Sequence, residues 1–234
     1  MPYLEDLYVT AIQISMNSQS PRIQNVMQSN HFWKVGIGVL NPPTTHYLLV
    51  GLNPGGNGLL NHEQNPQASV NENPSIQQYL QRPYRFAHYF NVLIEAFAQQ
   101  KATPVSAMIP QFGTTDLSMY YSDTLRIDES FHIEVKETEP ILKQHFSIPD
   151  LRGVIFSGRT DLQMQYFFLT LHRTGSQLSD VTQHQIHHWQ IKSFRTTIFN
   201  EAQLTCSFIP QLSNTRGLSN ERVAAMGQHL ATVM

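Results

Sequence analysis

Asn53 is the side chain around which chemistry would gather. It lies in His46-Tyr-Leu-Leu-Val-Gly-Leu-Asn-Pro-Gly-Gly-Asn-Gly58, where a short apolar run ends abruptly in a turn of Gly, Asn and Pro. An apolar run bounded by turn residues reads as a buried strand. At the C-terminal edge of an α/β sheet, where ligands bind, such a strand presents backbone amides and one carboxamide. Pro54 fixes φ and gives up an amide hydrogen, while Gly51, Gly55, Gly56 and Gly58 let the backbone bend tightly around a small planar or anionic group. The same residues also form ordinary turns. The motif alone therefore admits a plain strand ending, or a glycine turn that holds a phosphate.

Two further sets of residues could carry chemistry. Asp116 lies in Gly113-Thr-Thr-Asp116-Leu-Ser118, which reads as a second strand running into a polar loop. His184, His187 and His188 fall within five residues, but no carboxylate or thiolate pair stands near them in sequence, so a polar surface loop is expected and no metal site. Cys206 is the single cysteine, which excludes internal disulfides and a cysteine-ligated iron–sulfur cluster. Walker-type lysine loops, nucleophile elbows and complete dinucleotide fingerprints are absent, so no cofactor is expected. With 15 Lys+Arg against 17 Asp+Glu, the net charge of -2 argues against coating nucleic acid through bulk charge and leaves a localised groove possible. A secretion signal and an apolar run of membrane-spanning length are both missing, which points to a cytoplasmic protein.

The elements that position these residues follow from periodicity. At 234 residues and 41% hydrophobic content, one domain spanning 1–234 is expected. Leu4, Leu7, Tyr8, Ala11 and Ile14 mark an amphipathic helix over 2–17. Residues 59–83, rich in Asn, Gln and Pro, read as a long loop with about one helical turn, able to cover Asn53. Phe86, Phe90, Leu93, Ile94 and Phe97 share one face of a buried helix after Pro83. A helix over 138–146, a strand at Leu151-Arg-Gly-Val-Ile-Phe-Ser-Gly158 and a helix over 160–172 come next. Ile191 to Phe199 and Gln203 to Ile209 read as strands, and Ser219 caps a last helix with Val223, Met226 and Leu230 inward. Strand and helix alternate, which predicts an α/β fold with a mostly parallel sheet.

Taken together, four segments over 46–217 resemble the uracil-DNA glycosylase superfamily. Gly51-Leu-Asn-Pro-Gly55 is similar to the first catalytic motif of its mismatch-specific and single-strand-selective branches. Arg85-Phe86 is similar to the Arg-Phe pair that follows it. Arg152-Gly-Val-Ile-Phe-Ser-Gly158 resembles the next-to-last core strand, and Ile209-Pro-Gln-Leu-Ser213 the second motif, a proline-containing loop ending in Leu-Ser. The resemblance implies a three-layer α/β/α sandwich with a short, mostly parallel sheet, acting as a monomer on DNA and away from membranes. It implies hydrolysis of the N-glycosidic bond of a damaged or mismatched base flipped into a pocket. Asn53 would orient the water, and Gly51, Leu52, Pro54, Gly55, Tyr79 and Asp116 would hold the base. Pro210, Gln211, Leu212, Ser213, Asn214 and Arg216 would touch DNA, with Leu212 filling the gap left by the flipped base and Arg216 on a phosphate.

Departures from the family pattern refine this expectation. Branches that remove uracil quickly carry a histidine in the second motif, where this chain has Phe208, Ile209 and Pro210. Strong uracil activity is therefore not expected. Asp116 falls where the family places a base-reading asparagine, and Tyr79 is the nearest fit to its base-stacking aromatic. The alternative is a weak or inactive member that binds DNA or a nucleotide in the same pocket.

Overall fold

Helix boundaries in the computed structural model, which describes residues 2–122, 127–158, 178–198, 202–213 and 217–234, follow local chemistry. α1 (Pro2–Met16) and α2 (Pro21–Met27) open on prolines, whose fixed φ suits a first turn. β1 (Phe32–Trp33), β2 (Tyr47–Gly51) and β3 (Leu59–Leu60) follow. The stretch expected to be a long loop holds α3 (Pro66–Glu72) and α4 (Ile76–Leu80) instead. Caps are the reason: Asn65 accepts from the Ala68 amide, and Ser75 with Gln78 forms a reciprocal capping box. Next come α5 (Arg85–Gln100), α6 (Val105–Met108), a 3-10 turn (Ile109–Gln111) and β4 (Phe112–Asp116). α7 (Glu129–Phe146) begins well before the expected 138 and carries Pro140 in its interior. After β5 (Gly153–Gly158) come β6 (Leu178–Ile186), β7 (Trp189–Ile198), β8 (Ala202–Pro210) and α8 (Asn220–Val233). The expected helix over 160–172 lies outside the described residues.

β2, β4, β5, β6, β7 and β8 form one six-stranded sheet in the order β4-β2-β5-β8-β7-β6. β2, β5 and β8 pair in parallel, with Leu49 opposite Ile155 and Ile155 opposite Ser207. The His46 amide donates to Gln111 O and the Leu117 amide to Gly51 O, so β4 runs parallel to β2 as well. β7 and β6 complete the sheet in antiparallel sense. All five residues of β2 are buried, as a central parallel strand covered on both faces requires. The order reverses at β2, whose C-terminal end is therefore the place where an open α/β sheet offers a crevice. The histidine stretch expected to be a loop instead forms the end of β6 and its hairpin turn into β7, with Ile186 opposite Trp189.

The chain divides into two compact units, each assembled from three stretches of sequence. The first comprises Met1–Gly38, Gly51–Asn73 and Thr115–His145. Leu7, Ala11, Ile23, Val35, Ile37, Met119, Tyr120 and Ile141 are buried in it. It also holds a buried charge: Glu134, 1% exposed, accepts from Ser20 Oγ and from Arg22 Nε and Nη2. Burying a carboxylate is tolerated because the arginine fork and a hydroxyl satisfy it. The second unit comprises Val39–Val50, Pro74–Thr114 and Phe146–Met234. Its core packs α5 and α8 with Tyr47, Leu49, Phe112 and Ile155, and Tyr47, Phe97 and Phe112 meet at ring separations of 4.8 to 5.3 Å. Val223, Met226 and Leu230 point inward from α8, as their spacing predicts.

Candidate functional site

The chain leaves β2 at Gly51 and enters the first unit, where Asn53 is half-buried. Its Nδ2 donates to Pro54 O at 3.1 Å and to Ser122 O at 3.3 Å. Two carbonyl acceptors fix which end of the carboxamide is nitrogen, because the opposite orientation would set oxygen against oxygen. Both amide hydrogens are thereby occupied, and among the described residues Oδ1 is left to accept. A carboxamide anchored in this way can hold a water by one of its hydrogens without taking the proton.

Asp116 ends β4 and comes to the same loop. Its Oδ1 lies so close over Gly51 that a Cβ at that position would collide with it. Although part of the residue remains accessible, burial strips hydration from its carboxylate and pushes the pKa up to about 7. The group therefore titrates near neutrality. In neutral form it donates from one oxygen and accepts at the other, as a side-chain amide does.

Glycines in this loop differ in their reasons. A Cβ at Gly51 would meet Asp116 Oδ1, and one at Gly58 the Trp33 indole and Tyr121 O, so the protein's own packing requires glycine at both positions. Gly56 has φ +117°, a conformation open to glycine. Among the described residues nothing lies within 4 Å of a Cβ at exposed Gly55. Leu52 is buried and Pro54 half-buried.

Several contributors escape a reading by motif. The half-buried Tyr121 ring packs near Gly36 and Gly56, with Lys34 Nζ 4.7 Å from its centroid. Trp33 Nε1 donates to Tyr121 O, and Arg22 stands 4.7 Å over the Trp33 ring. α7 holds the segment behind Asp116: Thr138 Oγ1 accepts from the Met119 amide, while Tyr120 Oη donates to Glu137. The same segment ends at Ser122, whose carbonyl anchors Asn53. An aromatic cluster at Trp33 and at Tyr120-Tyr121 was the one signal available in sequence.

The remaining expected residues belong to the second unit. Tyr79 is half-buried and meets Phe86 edge-on at 6.4 Å. Pro210 closes β8 opposite Gly158, and Gln211 and Ser213 are half-buried. Leu212, expected as a wedge into DNA, is instead fully buried in the core, and its amide donates to Ser157 Oγ at 3.1 Å. Its side chain plugs the protein because burial of a leucine outweighs leaving it in solvent by roughly 2 kcal/mol. Phe208 and Ile209 are likewise core, with Phe208 stacked on Phe156 at 4.9 Å. Asn214 and Arg216 lie outside the described residues. His184 stacks on His229 at 4.0 Å, and Cys206 is buried with its thiol pKa pushed up. Among the described residues no helix is long and apolar enough to cross a membrane.

No model of a known protein family matches the chain, and no curated protein matches it.

Proposed function

We propose that this protein is a DNA glycosylase that hydrolyses the N-glycosidic bond of a damaged or mismatched base. It would hold that base flipped out of the helix in a three-layer α/β/α fold resembling the uracil-DNA glycosylase superfamily. One observation carries the proposal: Asn53, at the end of the strand where the sheet order reverses, has both amide hydrogens tied to backbone carbonyls and its Oδ1 left to accept. In the reaction the C1′–N bond breaks with its electron pair leaving on the base, a water oxygen bonds to C1′, and the proton shed by that water passes through solvent to the base anion. Much of the barrier is charge development at the sugar, so an oriented water and a dry pocket suffice without a strong base. Asn53 would hold the water. Asp116 in neutral form would donate to a carbonyl oxygen of the base and accept from its ring N–H, which answers the polarity conflict that a carboxylate would have with uracil.

An amide cannot withdraw the proton of the water, so slow turnover is expected. The test is formation of abasic sites in duplexes carrying uracil, hypoxanthine or mismatched thymine, under single-turnover conditions. Cleavage of one of these, lost in Asn53→Ala, is the expected result. Binding of modified duplex without cleavage would make the protein an inactive binder instead.

A further inference from the structure

We propose that the cavity of about 430 Å³ bordered by Arg82, Tyr84, Arg85 and His88 in the second unit binds single-stranded DNA, with phosphodiesters on the two guanidiniums and one base on the Tyr84 ring. This rests on DNA being the substrate; the residues concerned belong to the second unit, whereas Asn53 belongs to the first. Four observations converge on it. Arg82 and Arg85 are exposed, and neither has an ion-pair partner among the described residues. Each guanidinium stands beside a tyrosine ring, Arg82 at 5.9 Å from Tyr79 and Arg85 at 5.5 Å from Tyr89. Stacking holds the charge in place without neutralising it. Tyr84 is 57% exposed, an unusual position for a large aromatic next to a buried helix. It is also the N-cap of the 16-residue α5 and supplies no side-chain cap, at the positive end of the helix dipole.

Anionic counterweights are few on this rim. Asn91 donates to Glu95 Oε1, which occupies the carboxylate one turn further along α5, and His88 bonds Asn220 Oδ1 across to α8. On a chain of net charge -2 this cationic rim is a local feature rather than part of a bulk positive charge. A duplex keeps its bases stacked on each other and would leave the Tyr84 ring unused, whereas a single strand can set a base on it.

The test is fluorescence anisotropy of a labelled, unmodified ten-nucleotide oligothymidylate on the full chain, for wild type, Arg82→Ala/Arg85→Ala and Tyr84→Ala. All three side chains are exposed, and unchanged melting temperatures would confirm intact folds. Wild type should bind, the double variant should bind at least tenfold more weakly, and its slope of log affinity against log salt should fall by about 1.4, two phosphates at roughly 0.7 each. Tyr84→Ala should lose at least fivefold. A wild type that binds the oligonucleotide but cleaves none of the modified duplexes would fault the glycosylase chemistry and leave this site standing. Absence of wild-type binding, equal binding by the variants, equal affinity for a blunt duplex, or competition by inorganic phosphate at matching concentrations would each overturn the proposal.

Discussion

Asp116 carries more physical information than its neighbours because burial sets its charge. Its pKa rises from 3.8 to about 7, so the folded protein favours the neutral acid. That contribution to stability is fully present below about pH 3.8 and is lost as pH rises through about 7. Asp116→Asn removes the burden of a buried carboxylate and should raise stability at pH 8 by on the order of 1 to 3 kcal/mol, with little change at pH 4. Urea denaturation at the two pH values checks this, and equal effects at both would contradict a raised pKa. The same titration bears on base choice: any preference for a uracil-type edge should strengthen below pH 7 in wild type and become independent of pH in Asp116→Asn. A substrate panel in which the asparagine variant gains nothing on uracil would remove Asp116 from base reading. Sequence alone showed Asp116 near a strand end. It could not show a carboxyl lying on Gly51, since that contact joins residues 65 apart.

Among the elements, the junction of β2 with β4 is closely packed. Gly51→Ala would drive a methyl into the Asp116 carboxyl, and overpacking of this kind costs about 1 to 3 kcal/mol. The cost should largely vanish in Gly51→Ala/Asp116→Ala; a double variant as unstable as the sum of the single ones would mean the two positions do not meet. Leu212→Ala should lower stability by about 2 to 5 kcal/mol as a core truncation. A variant that keeps its stability but loses DNA affinity would restore the wedge. Legibility at this scale tracked how local the cause was. Apolar periodicity was sufficient for α1, α5, α8 and the strands β2, β5 and β8, because burial and spacing are written together there. α3 and α4 were missed although Asn65-Pro66 and Ser75-x-x-Gln78 are readable caps, since the Asn- and Gln-rich composition reads as loop. α7 was shortened because Pro140 mimics a helix start. Leu212 was misplaced because a leucine in a polar loop looks exposed until the strand it follows is known to lie in the sheet.

For the molecule as a whole, two buried groups oppose each other in acid. His145 is fully buried, bonds Ile37 O through Nε2 at 2.8 Å, and has its pKa lowered from 6.5 to about 4. Its neutral form stabilises the fold above about pH 6.5, and that stability is lost as pH falls through about 4 because the unfolded chain takes the proton first. Asp116 works in the opposite direction over nearly the same interval. Wild type should therefore show a shallow stability profile between pH 4 and 7, while Asp116→Asn should unmask an acid loss on the order of 3 kcal/mol. His145→Gln should become more stable toward acid; a profile as shallow as wild type in both variants would contradict the two assignments. The central claim is that the Asn53 carboxamide orients the attacking water. Its most direct test is the single-turnover rate of abasic-site formation by wild type and Asn53→Ala on the duplex that wild type cleaves best. A fall of about a hundredfold or more with unchanged folding is predicted. Equal rates for the two proteins would contradict it.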